Sequence, residues 1–272
     1  MLFRSGISGL AEVVSTIEEC DIFLISGVTM VQKDTVYKAR DLKKKIIVRI
    51  DNCPRNSRNR NTGTSRLRGF SQLANEVIWQ SEWARWYLKD FVGRDGKIIY
   101  NGVDLEVFHD VQKDDDHFVF DERGRENYYL YSRFNRDETK NWEKAWYEYQ
   151  MIQRENKEAK LMIVGKFSPE NLEWDFDFFR GENYEYLGII EDPNQMARIY
   201  RSCGYFLATY FNDAFSNTYL EALVSGVKLY EPDTSGGTDE MIQLFNGRGK
   251  DFFSLQRMAQ DYLTVFKEVL HG

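Results

Sequence analysis

The sequence predicts an α/β protein made of two Rossmann-like halves, each a parallel sheet with helices between its strands. Three observations predict it. Short apolar runs rich in branched residues alternate with stretches at helical spacing. The alternation halts in a polar, acidic stretch and then starts again. The 272 residues are 42% hydrophobic and 15% aromatic, ample to bury a core on either side of that break.

In the first half, "DIFLIS" (21–26) and "KKIIVRID" (44–51) are strands, and "TMVQKDTVYKARDLKK" between them has helical spacing. "NCPRNSRNRNTGTSR" (52–66) is too full of Asn, Arg, Gly and Ser for regular structure and is expected to be a long loop. "NEVIWQS" (75–81) is the next strand, "EWARWYLKDFVG" a helix, and "GKIIYNGVD" (96–104) a strand that ends in a turn. The pattern restarts with the strand "YYLYSRF" (128–134), a helix over "NWEKAWYEYQMIQREN" and the strand "AKLMIVGKF" (159–167). "YEYLGII" (184–190), a helix from Asn194 to Arg201, "GYFLATY" (204–210) and "GVKLYEP" (226–232) continue it. The expected division is therefore 1–106, 107–254 and a closing helix over 255–272, which aligns Leu255, Met258, Tyr262, Leu263, Phe266 and Leu270 on one face.

No apolar run approaches the ~18 residues of a membrane span, and "MLFRSGISGLAEVVSTIEEC" lacks the pattern of a secretion signal, so a cytoplasmic protein, peripheral at a membrane at most, is expected. Cys20, Cys53 and Cys203 are far apart and form no CxxC pair, which argues against a zinc cluster or a disulfide framework. The net charge of −7 is unevenly spread: Lys38 to Arg68 holds eleven Lys/Arg against two Asp. That bias suits an anionic partner, although a solvated basic loop accounts for it equally.

The chemistry concentrates in "FNDAFSNTYLEALVSG" (211–226) and its neighbours. As a helix, Phe215, Tyr219, Leu220, Ala222, Leu223 and Val224 form a broad apolar arc, and Asn217, Thr218, Glu221 and Ser225 share the narrow remainder. A polar stripe on so apolar a helix should look into a cleft. Asp213 sits just before the helix, where a carboxylate caps free N–H groups. The N–H groups of Phe215, Ser216, Asn217 and Thr218 open a helix after a strand, a natural phosphate site. "YSRFNRDETKNW" places Arg133, Arg136 and Lys140 directly after a strand, where open α/β sheets bind ligands and where cations can neutralise a diphosphate. "IVGKF" ends a strand on Gly165, which permits close backbone approach.

"IIYNGVDLEVF", "YLYSRFNRDETKNWEKA", "KLMIVGKF", "YEYLGII" and "DAFSNTYLEALVSGVKLYEPDTSGGTDEM" occur in the order and rough spacing of the nucleotide-binding domain of retaining GT-B glycosyltransferases. From about Glu76 to the C-terminus the chain resembles glycosyltransferase group 1, also called family 4, with the best motifs between Asn101 and Glu240. The resemblance implies a GT-B-like architecture of two Rossmann-like parallel-sheet domains facing each other across a cleft, the N-terminal one reduced. It implies that Asp213 touches the donor sugar, that Glu221 holds the ribose hydroxyls, and that Arg133 and Lys140 bind the diphosphate. Asn101, Gly102, Arg136, Gly165, Ile190 and residues Phe215 to Thr218 complete the implied donor site, with Gly236, Gly237 and Glu240 matching the family's glycine-rich segment.

The chain also departs from the family. Its first acid is Asp213 where Glu is usual, Ser216 replaces a usual glycine, and two extra residues separate Arg133 from Lys140. The histidines are His109, His117 and His271, so none precedes Asn101 where many members keep one.

The expected function is retaining transfer of a sugar from a nucleotide diphosphate sugar, a UDP- or GDP-sugar used as co-substrate, to an acceptor hydroxyl, with no cofactor and no metal. The acceptor is expected to be a glycan, a lipid-linked substrate or an anionic polymer, with Arg49, Asp51, Arg55, Arg58 and Arg60 as its basic face. Two alternatives stand beside it. One is a nucleotide-sugar epimerase or phosphorylase on the same scaffold; the other is a non-enzymatic nucleotide or nucleic-acid binding module that uses the basic stretch 38–68.

Overall fold

The structure, a computed structural model, describes residues 11–50, 61–111, 124–134, 138–166 and 183–272. Among these, Asp51, Arg55, Arg58, Arg60 and Arg136 do not figure, so those sequence expectations lie outside the described residues.

In chain order the first elements are β1 (Ile22–Ile25), α1 (Lys33–Asp41), β2 (Lys45–Ile50), α2 (Asn61–Leu73), β3 (Glu76–Trp79), α3 (Glu82–Val92) and β4 (Lys97–Ile98). They are followed by β5 (Tyr128–Phe134), α4 (Trp142–Glu155), β6 (Lys160–Gly165), β7 (Tyr184–Gly188), α5 (Pro193–Ser202), β8 (Tyr205–Leu207), α6 (Asn217–Val224), β9 (Lys228–Tyr230), α7 (Thr238–Arg248) and α8 (Leu255–His271). The expected loop over 52–66 is corrected at its end, because α2 already begins at Asn61. Its polar first turn carries no apolar signal; Leu67 and Phe70, further along, are the buried side chains that hold the helix.

Packing groups the chain into two units. One comprises Met1–Asp104, Asn212–Asn217 and Ser235–Gly272; the other comprises Leu105–Phe211 and Thr218–Thr234. The division expected from the sequence runs along the chain, whereas the packed units are discontinuous.

The first unit holds a parallel sheet in the order β1-β2-β3-β4. Alternation along its strands sends residues to opposite faces. Ile46, Val48 and Ile50 of β2 and Val77 and Trp79 of β3 pack with Val36 and Ala39 of α1, Leu67 and Phe70 of α2, and Ala84, Leu88 and Val92 of α3. Ile47 and Ile78, pointing the other way, pack with Leu255, Met258, Tyr262 and Val265 of α8. The closing helix is thus the cover of this sheet's second face. Val103 bridges to Ser254, which ties the end of the fourth strand region to the start of α8.

The second unit holds five parallel strands in the order β7-β6-β5-β8-β9. Numbered within the unit this is 3-2-1-4-5, the doubly wound order whose switch point lies between β5 and β8. The central strands β5 and β6 are buried almost throughout, as a sheet covered on both faces requires, while no residue of the edge strand β7 is fully buried. Trp142 of α4 meets Tyr131 and Phe134 of β5 edge-on at 5.0 and 4.5 Å, and Trp146, Tyr149 and Ile152 continue the buried face of that helix. No helix among the described residues is long and apolar enough to cross a membrane.

Candidate functional site

Open α/β sheets bind ligands beyond the carboxyl ends of the strands at the switch point. In the second unit that place is the end of β5 and the end of β8. β5 finishes irregularly: its register with β6 shifts between Tyr131 and Phe134, and Arg133 takes φ 59, the left-handed region. The irregularity breaks the buried run, so Arg133 is exposed between buried Ser132 and Phe134. Its charge acts on Glu221. Phe134 pairs with Gly165 at the end of β6, where a Cβ would stand 2.4 Å from the Phe134 nitrogen and φ is +145. The close backbone approach that Gly165 permits is that of Phe134.

Lys140 closes the short turn before α4. It is buried, its carbonyl accepts from the Tyr131 hydroxyl at 3.0 Å and the Thr209 hydroxyl at 3.2 Å, and its ammonium stands 4.0 Å from the centre of the Tyr210 ring. Thr209 and Tyr210 follow β8, so both strand ends at the switch point contribute to this lysine's setting.

Glu221 lies on α6, half-buried on a helix whose Thr218, Tyr219, Leu220, Ala222 and Val224 are buried. The Tyr200 hydroxyl, from α5, donates to its Oε2 at 3.3 Å and to the Thr218 carbonyl at 3.4 Å. Burial lifts the Glu221 carboxyl to about 7, and the Tyr200 hydrogen bond and the Arg133 charge hold it down against that rise. Ile190 follows β7, half-buried. The structure therefore gathers Arg133, Lys140, Gly165 and Glu221 in one unit, with Arg133 and Glu221 near enough to interact.

Asp213, Phe215, Ser216 and Asn217 belong to the other unit, with Asn101 and Gly102. Asn101 is buried and organises them: its Nδ2 donates to the Phe215 carbonyl at 3.0 Å and to Asn217 Oδ1 at 2.6 Å. Its Oδ1 accepts from Gln80 at 3.3 Å and from Arg49, which is thus engaged with Asn101. Gly102 directs its N–H at Met258 Sδ, 3.2 Å away. Asp213 Oδ1 accepts from the Phe215 N–H at 3.3 Å, two residues on; α6 itself starts at Asn217, so Asp213 closes a turn ahead of the helix. Ser81 Oγ donates to the Ala214 carbonyl at 2.7 Å, and Gly237 N–H donates to the Asp213 carbonyl at 2.9 Å. A Cβ on Gly236 would lie 2.5 Å from the Asp213 oxygen, so the glycine pair is what allows the two backbones to touch. Glu240 accepts from the N–H groups of Glu82 and Trp83, both at 2.9 Å, and so caps α3.

No protein-family model matches the chain, and no curated protein matches its sequence. Solved structures match its fold. HepE from Anabaena, in complex with UDP, aligns with a TM-score of 0.69 at 12% identity over 98% of this chain and 82% of that one. Sucrose-phosphate synthase from Thermosynechococcus elongatus gives 0.60 at 12% identity over 92% and 71%. The pneumococcal O-GlcNAc transferase GtfA, in complex with UDP and GlcNAc, gives 0.63 at 13% identity over 92% and 57%. The chain has the GT-B fold. At these identities the likeness is one of fold, and each site residue stands on its own geometry.

Sequence reasoning missed Tyr200, Thr209, Tyr210 and Gln80. Gln80 and Thr209 lie within two residues of a strand end, Tyr210 three residues after β8 and Tyr200 on α5, and all four are buried. A polar-capable side chain at a buried position next to a strand end is the signal that could have found them.

Proposed function

We propose that the chain is a retaining, metal-independent glycosyltransferase that moves a sugar from a nucleoside diphosphate sugar to an acceptor hydroxyl. The observation that carries this reading is the convergence of Arg133, Lys140 and Glu221 on the switch-point ends of β5 and β8. The fold match to proteins solved with UDP and with UDP-glucose supports it and favours UDP among the bases.

On this reading Glu221 accepts hydrogen bonds from the ribose hydroxyls, and Arg133 and Lys140 hold the diphosphate. As the bond from the anomeric carbon to the diphosphate oxygen breaks, negative charge builds on the leaving group and the two cations stabilise it. One such preorganised donor is worth ~3 kcal/mol in the transition state. The acceptor oxygen bonds to the anomeric carbon from the face the diphosphate leaves, and its proton passes to the departing diphosphate oxygen. The resemblance to the family implies that Asp213 touches the donor sugar. Of the expected acceptor face, Arg49 is held by Asn101.

Thermal-shift screening with UDP-, GDP-, ADP- and CDP-sugars tests the donor, because a ligand bound only by the native state raises its stability by mass action. Kinetics of Lys140→Ala and Arg133→Ala test the mechanism: each lowers turnover by a factor of ~100 or more with the fold intact. Near-normal rates in both variants overturn the assignment.

A further inference from the structure

Tyr210 answers to nothing in the family pattern, yet its side chain is fixed from several sides near the candidate diphosphate site. Its hydroxyl donates to the Ser132 carbonyl at 2.6 Å, and its own N–H donates to the Tyr219 hydroxyl at 2.6 Å. The Tyr219 ring stacks on it with centres 4.6 Å apart and planes 24° from parallel. It is 1% exposed. The ring is therefore pinned at its para oxygen, at its backbone and by a stacked neighbour, and the Lys140 ammonium stands 4.0 Å from its centre.

A lysine side chain has four rotatable bonds and disperses its charge over many positions unless something holds it. Here the carbonyl end is held by Tyr131 and Thr209 and the ammonium end by the ring. A carboxylate in the ring's place would also hold the ammonium, but its full negative charge would repel an incoming diphosphate. The face of a tyrosine attracts the cation through its quadrupole and opposes an anion far less.

We propose that Tyr210 is a positioning residue that holds the Lys140 ammonium in place for the diphosphate through a cation–π contact. The inference rests on the glycosyltransferase reading of the site. It extends that reading by naming one group that fixes the lysine.

The test is a double-mutant cycle read by calorimetric affinity for UDP, GDP, ADP and CDP, measured side by side. Tyr210→Leu is expected to weaken the best-bound diphosphate ~10-fold in the wild-type background. Tyr210→Phe, which restores the ring, recovers the larger part of that loss. In the Lys140→Ala background Tyr210→Leu adds little further loss, because the residue it acts through is gone. Equal losses in both backgrounds, or a Phe variant as weak as the Leu variant, overturn this inference alone. Absence of binding of all four diphosphates by the wild-type chain overturns the glycosyltransferase reading and this inference with it. Should Tyr210→Leu fail to fold, ring-fluorinated phenylalanines at position 210 give the same answer at constant shape. Affinity that falls as fluorines drain the ring face supports the contact, and a flat series overturns it.

Discussion

Replacing Glu221 with Gln should make the protein more resistant to unfolding at pH 8 while leaving it nearly unchanged at pH 5. In the folded chain burial holds the Glu221 carboxyl at about 7, against 4.5 for the ordinary group. Because the folded-state value lies above the unfolded one, the group's contribution to stability is complete below about 4.5 and is lost as pH rises through about 7. Each tenfold change in proton affinity between the folded and unfolded chain corresponds to about 1.4 kcal/mol, so ionising Glu221 costs roughly 3 kcal/mol as an upper bound, most of it between pH 5 and pH 8. Glutamine keeps the shape and the acceptor for Tyr200 but never ionises. Wild type and Glu221→Gln are compared by urea denaturation across that range. Glu148, also lifted to about 7 by burial, is common to both proteins, so the difference isolates residue 221. The stability gap should widen with pH in favour of the variant. A gap that stays constant from pH 5 to pH 8, or that favours wild type at pH 8, refutes the placement of Glu221 as a carboxylate withdrawn from water.

Other outcomes follow from contacts already described. Gly165→Ala should destabilise the second unit by roughly 2–4 kcal/mol, because the added carbon meets the Phe134 backbone and the φ of +145 is foreign to alanine; thermal unfolding measures it. Ser81→Ala removes both the cap that accepts from Ala84 N–H at 3.0 Å and the donor to the Ala214 carbonyl, at a cost of roughly 1–2 kcal/mol in the same assay. Asn101→Ala strips a buried hub with two donors and two incoming bonds, and roughly 3 kcal/mol should be lost; a cost under about 1 kcal/mol would show that water replaces the amide.

The strands of the second unit were legible because burial on both faces demands continuous apolar runs, and "YYLYSRF" coincides with β5 from Tyr128 to Phe134. Their order in the sheet was not legible: nothing in the strand sequences says that β8 lies beside β5, and that adjacency is what creates the switch point. The helix α7 went unassigned because only Thr238 and Met241 are buried along it, too few for a helical stripe. Arg49 looked like part of a free basic face because its charge shows in the sequence while its partner Asn101, 52 residues on, does not. Arg133 and Lys140 were singled out as candidates from their position at and just after a strand end, a local property. The tyrosines around them were not, because an aromatic residue reads as core whether its ring holds only carbon or also an ammonium.

Arginine at 133 sits in a backbone region that glycine enters freely and that costs other L-residues on the order of 1 kcal/mol. The wild-type residue is therefore not the one the backbone would choose. A glycine there should raise the melting temperature and remove the guanidinium in one step, whereas alanine removes the charge and keeps the strain. On the glycosyltransferase reading proposed above, position 133 sets thermostability against activity, and a selection for heat resistance alone would be expected to erase the arginine.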